Sequence, residues 1–264
     1  MLALLRYPTA FLALLSFTRA WNWKVSNGTD FHPCSGTVNP NQTADVTTDV
    51  YNQLQLARSS ADRLTLLNDQ NNTDLWKFNF NPTLESSFAS RGAGGLAVLA
   101  DRKSFPALIG TGVASALGFL EPCGLNAFHF HPRATQLVTV VQGGPLTAGA
   151  LWSNAQTHQQ FTTLVHTWEM IALPQGTIHY VFNDNCVPAI TSNAFSSEDP
   201  GILNIAPSTF KFNADVLNGT LGYPSQLNGM SPSEFLESIP PSYVLGSQAC
   251  LDRCGIDFTT AAFN

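Results

Sequence analysis

Three of the six histidines stand where their side chains can share one cation. In Phe128-His129-Phe130-His131 the two histidines are two residues apart. Successive side chains of a strand alternate between faces, so a strand here puts both imidazoles on one face and Phe128 and Phe130 on the other. A second segment, Pro174-Gln-Gly-Thr-Ile-His179-Tyr-Val-Phe-Asn183, reads as a tight turn running into a strand with one more histidine. Two imidazoles from one strand and a third from its neighbour make a facial set that leaves positions on a divalent metal open for a small ligand. An HxH pair alone is a weak signal, and isolated pairs more often hydrogen-bond or face solvent. Among the remaining residues no Ser/His/Asp or Cys/His nucleophile, no phosphate-binding glycine loop and no carboxylate pair is apparent.

The elements that must position these side chains read as short strands. From Ala97 to Ala194, apolar and β-branched runs are broken by Gly, Pro or Asn. Strands are expected over Leu137–Gln142, Ala148–Trp152, Gln160–Thr163, Met170–Leu173 and His179–Phe182, and many short strands at this spacing mean a sandwich or barrel. If Gln136 faces the histidines, alternation places Val138 and Val140 there too, with Val181 and Asn183 following His179. The cavity is then narrow and mainly apolar, suited to a small-molecule ligand rather than a polymer.

Helical patterns flank the strands. Val50, Leu54, Ala57, Ala61, Leu64 and Leu67 fall near one face of a helix within Asp45–Leu67, and Arg91–Gly95 is a glycine-rich turn. Ser231-Pro-Ser-Glu234 is a capping box with proline at the first helical position. A last short helix is expected over Ser247–Arg253, ended by Gly255.

The first residues have the pattern of a targeting segment: Arg6, an apolar run over Phe11–Phe17, and a small-residue cleavage site in Thr18-Arg19-Ala20. The run is too short to span a bilayer and no later stretch is long enough, so a membrane partner is not expected. Charged residues are 11% of the chain and net charge is −6. Without a Lys/Arg patch a nucleic-acid partner is excluded as well. Four sequons, at Asn27, Asn41, Asn71 and Asn218, are N-glycan candidates on surface loops and favour a secretory route. The resulting division is 1–20 signal peptide, 21–44 irregular arm, 45–95 helical and extended lead-in, 96–206 barrel core and 207–264 C-terminal helical segment.

Cys123-Gly-Leu-Asn-Ala-Phe-His-Phe-His-Pro-Arg-Ala-Thr135 resembles the first motif of the germins and of the fungal and slime-mould spherulin-like proteins, and Pro174-x4-His179-x3-Asn183 resembles their second. The resemblance runs from about Leu64 through Asn193-Ala-Phe-Ser-Ser-Glu-Asp-Pro-Gly201 to Cys250-Leu-Asp-Arg-Cys-Gly255. It implies an all-β fold, a cupin jelly-roll β-barrel with N-terminal and C-terminal helical extensions. It also implies one divalent metal ion held by His129, His131 and His179, in a secreted, extracellular or cell-wall protein. The family's oxalate oxidase and superoxide dismutase activities use manganese held by three histidines and a glutamate.

This chain departs from the pattern twice: Gln136 replaces that glutamate, and Trp168 replaces a glycine six residues before Pro174. The tryptophan is expected to alter only a turn. The glutamine either donates its neutral oxygen to the metal or stands behind it as a hydrogen-bonding group. Without the anion, manganese should lose ground to copper, zinc or iron, which suit imidazole, and a bound water should become more acidic. Two functions stay open: small-molecule oxidation, or metal and ligand binding without turnover.

Antiparallel pairing of the two histidine strands, as the resemblance implies, sets Cys123 opposite Cys186 and predicts a disulfide there. Cys250 and Cys254 could then bond each other, leaving Cys34 over, or Cys34 could pair with one of them. Arg133 either meets an anionic ligand or fixes its own turn. His158 and His166 are expected outside the site, in exposed positions, and His32 belongs to the arm. Phe128 and Phe130 pack under the helical segments or in a contact between subunits, which would allow a homo-oligomer.

Overall fold

The computed structural model describes residues 48–71, 73–81, 89–151, 160–222, 224, 229–230, 234–235, 238–240 and 242–257. The signal peptide, the arm, Cys34, His32, His158, Asn27, Asn41 and residues 231–233 of the capping box lie outside them.

Among the described residues, twelve strands form two antiparallel sheets. One has the order β1 (Ala89–Gly92), β2 (Gly95–Ala100), β3 (Ala114–Leu120), β10 (Ala189–Phe195), β5 (Gln136–Gln142), β8 (Met170–Leu173). The other runs β11 (Leu203–Asn204), β4 (Gly124–Phe130), β9 (Ile178–Phe182), β6 (Leu146–Leu151), β7 (Phe161–Val165), with β12 (Tyr243–Leu245) also on β4. Consecutive strands repeatedly cross from one sheet to the other, as β3 to β4, β4 to β5 and β7 to β8 do. Sheets wound this way enclose one interior, the jelly-roll arrangement. Alternating residues fill it: Val138 and Val140 from β5, Leu146 and Ala148 from β6, Val165 from β7, Leu173 from β8 and Val181 from β9 pack as one buried cluster.

The expected helix over Asp45–Leu67 is two helices, α1 (Thr48–Leu56) and α2 (Ser60–Asp69). Ser59 is extended and its hydroxyl accepts the Asp62 N–H at 3.0 Å, so a new helix starts there. The break shifts the phase of the pattern. Val50, Leu54 and Leu67 are buried with Leu75 and Ile109, whereas Leu64 and Ala61 are exposed.

The helices after the barrel include α3 (Ile205–Thr209), α4 (Ala214–Thr220) and, near the end of the described residues, α5 (Gln248–Cys254). Ser247 caps α5 at one end, and Gly255 ends it with φ 65°, a left-handed value that glycine adopts freely. No helix among the described residues is long and apolar enough to cross a membrane.

Candidate metal centre

β4 and β9 carry the three histidines into the barrel. His129 and His179 are direct partners across the strand pair, and the register shifts by one residue between Asn126 and His129. His131 lies just beyond β4. All three are buried. Ring centroids are 4.2 Å apart for His129 and His179, 5.3 Å for His129 and His131, and 5.6 Å for His131 and His179. One nitrogen from each ring lies within 4.8 Å of the others.

The tautomers follow from the backbone. Nδ1 of His129 faces Ala127 O at 2.7 Å, Nδ1 of His131 faces Gly201 O at 2.5 Å, and Nδ1 of His179 faces Thr177 O at 2.7 Å. A carbonyl can only accept, so each Nδ1 carries the proton and each Nε2 presents a lone pair. Burial first, then the neighbouring imidazoles, pushes His129 well below its ordinary value. Burial likewise lowers His131, and lowers His179 to about 4. The rings are therefore neutral near pH 7.

Gln136, the first residue of β5, completes the group. Its Oε1 lies 2.9 Å from His179 Nε2, and its Nε2–H donates to Asn193 Oδ1 at 3.0 Å. His131 Nε2 is buried without a hydrogen-bond partner. Three imidazole lone pairs and an amide oxygen thus converge with no proton to share among them. That is a poor arrangement for a hydrogen-bonded cluster and a good donor set for a divalent metal of the zinc, copper or iron kind. The residues fit such an ion.

Around the donors the interior is apolar, with Val138, Val140, Ala148, Ala150 and Val181 buried and the Phe195 ring 4.8 Å from that of His131. Two polar groups that spacing did not single out share this face. Asn126 pairs with inward-facing Val181, and Asn204 with His129, so their side chains lie on the inner side of the sheet. Both have a buried Oδ1 without a hydrogen-bond partner. The only signal for them in the sequence was Asn126 within the first motif.

Other expected positions separate. Asn183 is fully buried but serves a turn, its Nδ2 donating to Glu121 O at 2.9 Å and Val187 O at 2.8 Å. Arg133 fixes its turn through Asp199, by Nε to the carbonyl at 2.8 Å and by a 2.6 Å ion pair. His166 is exposed. Trp168 lies in the β7–β8 turn with φ 72°, 79% exposed, its N–H donating to Val140 O at 2.7 Å. Phe128 is exposed and meets Tyr180 edge to face at 5.6 Å. Asn71 is exposed in the turn after α2. Asn218 is half-buried within α4, on a helix and not on the loop expected for a sequon.

The disulfide expectation is corrected. Cys123 bonds Cys250, and Cys186 bonds Cys254. Extrapolating the pairing from the histidines failed because the ladder shifts between Asn126 and His129 and because Cys123 leaves it with φ 58°. The Cys123 N–H donates to Asn185 O, one residue short of Cys186. α5 docks on this end of the barrel and supplies both partners. Cys123, Cys250 and Cys254 also lie close enough together to suggest a metal site, but all three are committed to disulfides.

Comparison with known proteins agrees with this geometry. The cupin family model matches residues 80–222. Spherulin-1A of Physarum polycephalum is 36% identical over 206 residues, 77% of this chain and 78% of that protein. Germin-like protein 4-1 of Oryza sativa subsp. japonica is 37% identical over 118 residues, 44% of this chain and 46% of that one. Among solved structures, an oxalate oxidase in complex with the substrate analogue glycolate matches with a TM-score of 0.51 and 26% identity, covering 61% of this chain and 79% of that one. An oxalate decarboxylase of Bacillus subtilis matches in fold, with a TM-score of 0.50 and 17% identity over 62% of this chain and 40% of that one.

Proposed function

Since the chain belongs to the cupin family, alongside the spherulins and germin-like proteins, we propose that it is a secreted protein holding one divalent metal ion with Nε2 of His129, His131 and His179 and with Gln136 Oε1. The observation that carries this is the commitment of every Nδ1 to a backbone carbonyl, which leaves each Nε2 lone pair for a shared ion, with Gln136 Oε1 2.9 Å from that of His179. When bound, the ion supplies Lewis acidity and, for a redox metal, single-electron chemistry. The protein's own contributions are simpler. Val138, Val140 and Val181 keep water from the donors, and the amides of Asn126 and Asn204 are placed to orient a small polar ligand. The likeness to an oxalate oxidase holding glycolate makes a small hydroxy or carboxylic acid the first substrate class to test.

The donor set is uncharged, which favours copper, zinc or iron(II) over the manganese of the germins. The second reading, metal and ligand binding without turnover, draws on one observation: among the described residues no buried polar side chain is a carboxylate. A general base other than the coordinating imidazoles is then wanting. Two disulfides support an oxidising, extracellular or wall-associated location. Of the sequons, exposed Asn71 is the first to test for a glycan.

Metal analysis of protein secreted by its natural host, followed by assays with oxalate, glycolate and superoxide on wild type and Gln136→Glu, decides among these. Stoichiometric copper, zinc or iron is expected. Stoichiometric manganese with oxalate turnover in wild type would overturn the argument from the uncharged donor set. A bound metal with no turnover selects the binding reading. N-terminal sequencing should begin at Trp21.

A further inference from the structure

Gln136 can serve a cation only if its amide oxygen, and not its NH2, faces the histidines. The two orientations occupy the same space, so something outside the site must choose between them. The choice can be traced residue by residue through the barrel wall. Gln136 Nε2 donates to Asn193 Oδ1 at 3.0 Å. Asn193 Nδ2 in turn donates to the carbonyl of Ala116 at 3.3 Å and to Thr191 Oγ1 at 3.1 Å. The Ala116 carbonyl has no proton to give, so it anchors the polarity of the whole chain. Turning Gln136 over would set its oxygen against Asn193 Oδ1. Turning both amides would set Asn193 Oδ1 against Ala116 O. Either reversal leaves two acceptors facing each other in the barrel wall, whereas the observed orientation sets acceptors together only at Gln136 Oε1 and His179 Nε2, the pair that a shared cation relieves.

The surroundings fit this reading. Asn193 lies on β10 between Ala116 of β3 and Val138 of β5, and it is buried with Thr191 and Gln136. Gly118, opposite Thr191, leaves the space that the network fills: a Cβ there would stand 2.5 Å from Thr191 Oγ1.

We propose that Asn193 is a positioning residue, which by accepting from Gln136 Nε2 holds Gln136 Oε1 toward the three imidazoles and makes position 136 selective for an amide over a carboxylate. The inference rests on the cation reading. A glutamate at 136 would bring only acceptors to Asn193 Oδ1, so the two positions must be coupled.

The test is titration with Co(II), read by calorimetry and by the ion's visible absorption, on wild type, Asn193→Leu, Asn193→Asp, Gln136→Glu and the double variant Asn193→Leu/Gln136→Glu. Folding of each is checked by its near-UV circular dichroism. Asn193→Leu removes the acceptor, frees Gln136 to turn its NH2 onto His179 Nε2, and should weaken Co(II) by about 10- to 100-fold with an altered spectrum. Asn193→Asp still accepts from Gln136 and should bind within about threefold of wild type or more tightly. Gln136→Glu should strengthen binding more in the Asn193→Leu background than alone. Equal losses in both Asn193 variants, no loss in Asn193→Leu, or the same gain from Gln136→Glu in both backgrounds would overturn the proposal while leaving the cation reading intact. Absence of Co(II) binding by wild type would overturn both.

Discussion

The β4–β9 pair has two ends of opposite character. At one end His129, His131 and His179 converge as neutral donors, each ring held by a carbonyl within a few residues or, for His131, by Gly201. At the other, Cys123 and Cys186 are tied to α5, from the far end of the chain. The histidine end is assembled mainly by local rules, strand alternation and backbone acceptors. The cysteine end is assembled by docking of a distant segment. A geometry set by short-range rules survives a one-residue register shift, because a bulge can absorb it. A pairing extrapolated past that bulge does not.

The sharpest way to break the comparison is at the cysteine end. The Cys123–Cys250 bond spans 127 residues. On the chain-entropy estimate, replacing both cysteines with serine should cost about 5 kcal/mol of folding stability in denaturant titration. Metal stoichiometry measured below the new midpoint should be unchanged. Loss of metal from the folded variant would show that the ends are not independent.

Acid probes the histidine end. His179 titrates at about 4 in the fold against an ordinary 6.5, so the unfolded chain binds the extra proton. Metal-free protein should therefore be fully stabilised above pH 6.5 and lose stability as pH falls toward 4, by an order of about 3 kcal/mol. Chemical denaturation at stepped pH measures this, and a flat profile would contradict neutral, buried rings. His131→Ala should weaken metal by at least about 100-fold in calorimetry. It should leave the two disulfides formed on non-reducing peptide maps. The smallest effect belongs outside this pair, in the β7–β8 turn. Trp168→Gly should raise folding stability in denaturant titration, by up to about 1 kcal/mol, through relief of a left-handed backbone.

Much of this is legible in the amino-acid sequence. The His129-x-His131 spacing puts both rings on one face of an extended segment, and the family resemblance of its wording and of the Pro174–Asn183 segment implied the fold. The polarity of Gln136 was hidden because it depends on Asn193, 57 residues on. β3 went undelimited because Ala-Ser-Ala-Leu-Gly-Phe-Leu has no β-branched residue. The break between α1 and α2 was masked by an apolar periodicity that continues across Ser59 at the wrong phase.

The three carbonyls behind the histidines have a kinetic implication. Ring planes anchored by Ala127, Thr177 and Gly201 are already oriented when the chain finishes folding. On the proposed cation reading, an incoming ion would meet a finished socket and have only its water to shed. Uptake should then follow a single exponential, with no slower rearrangement behind it.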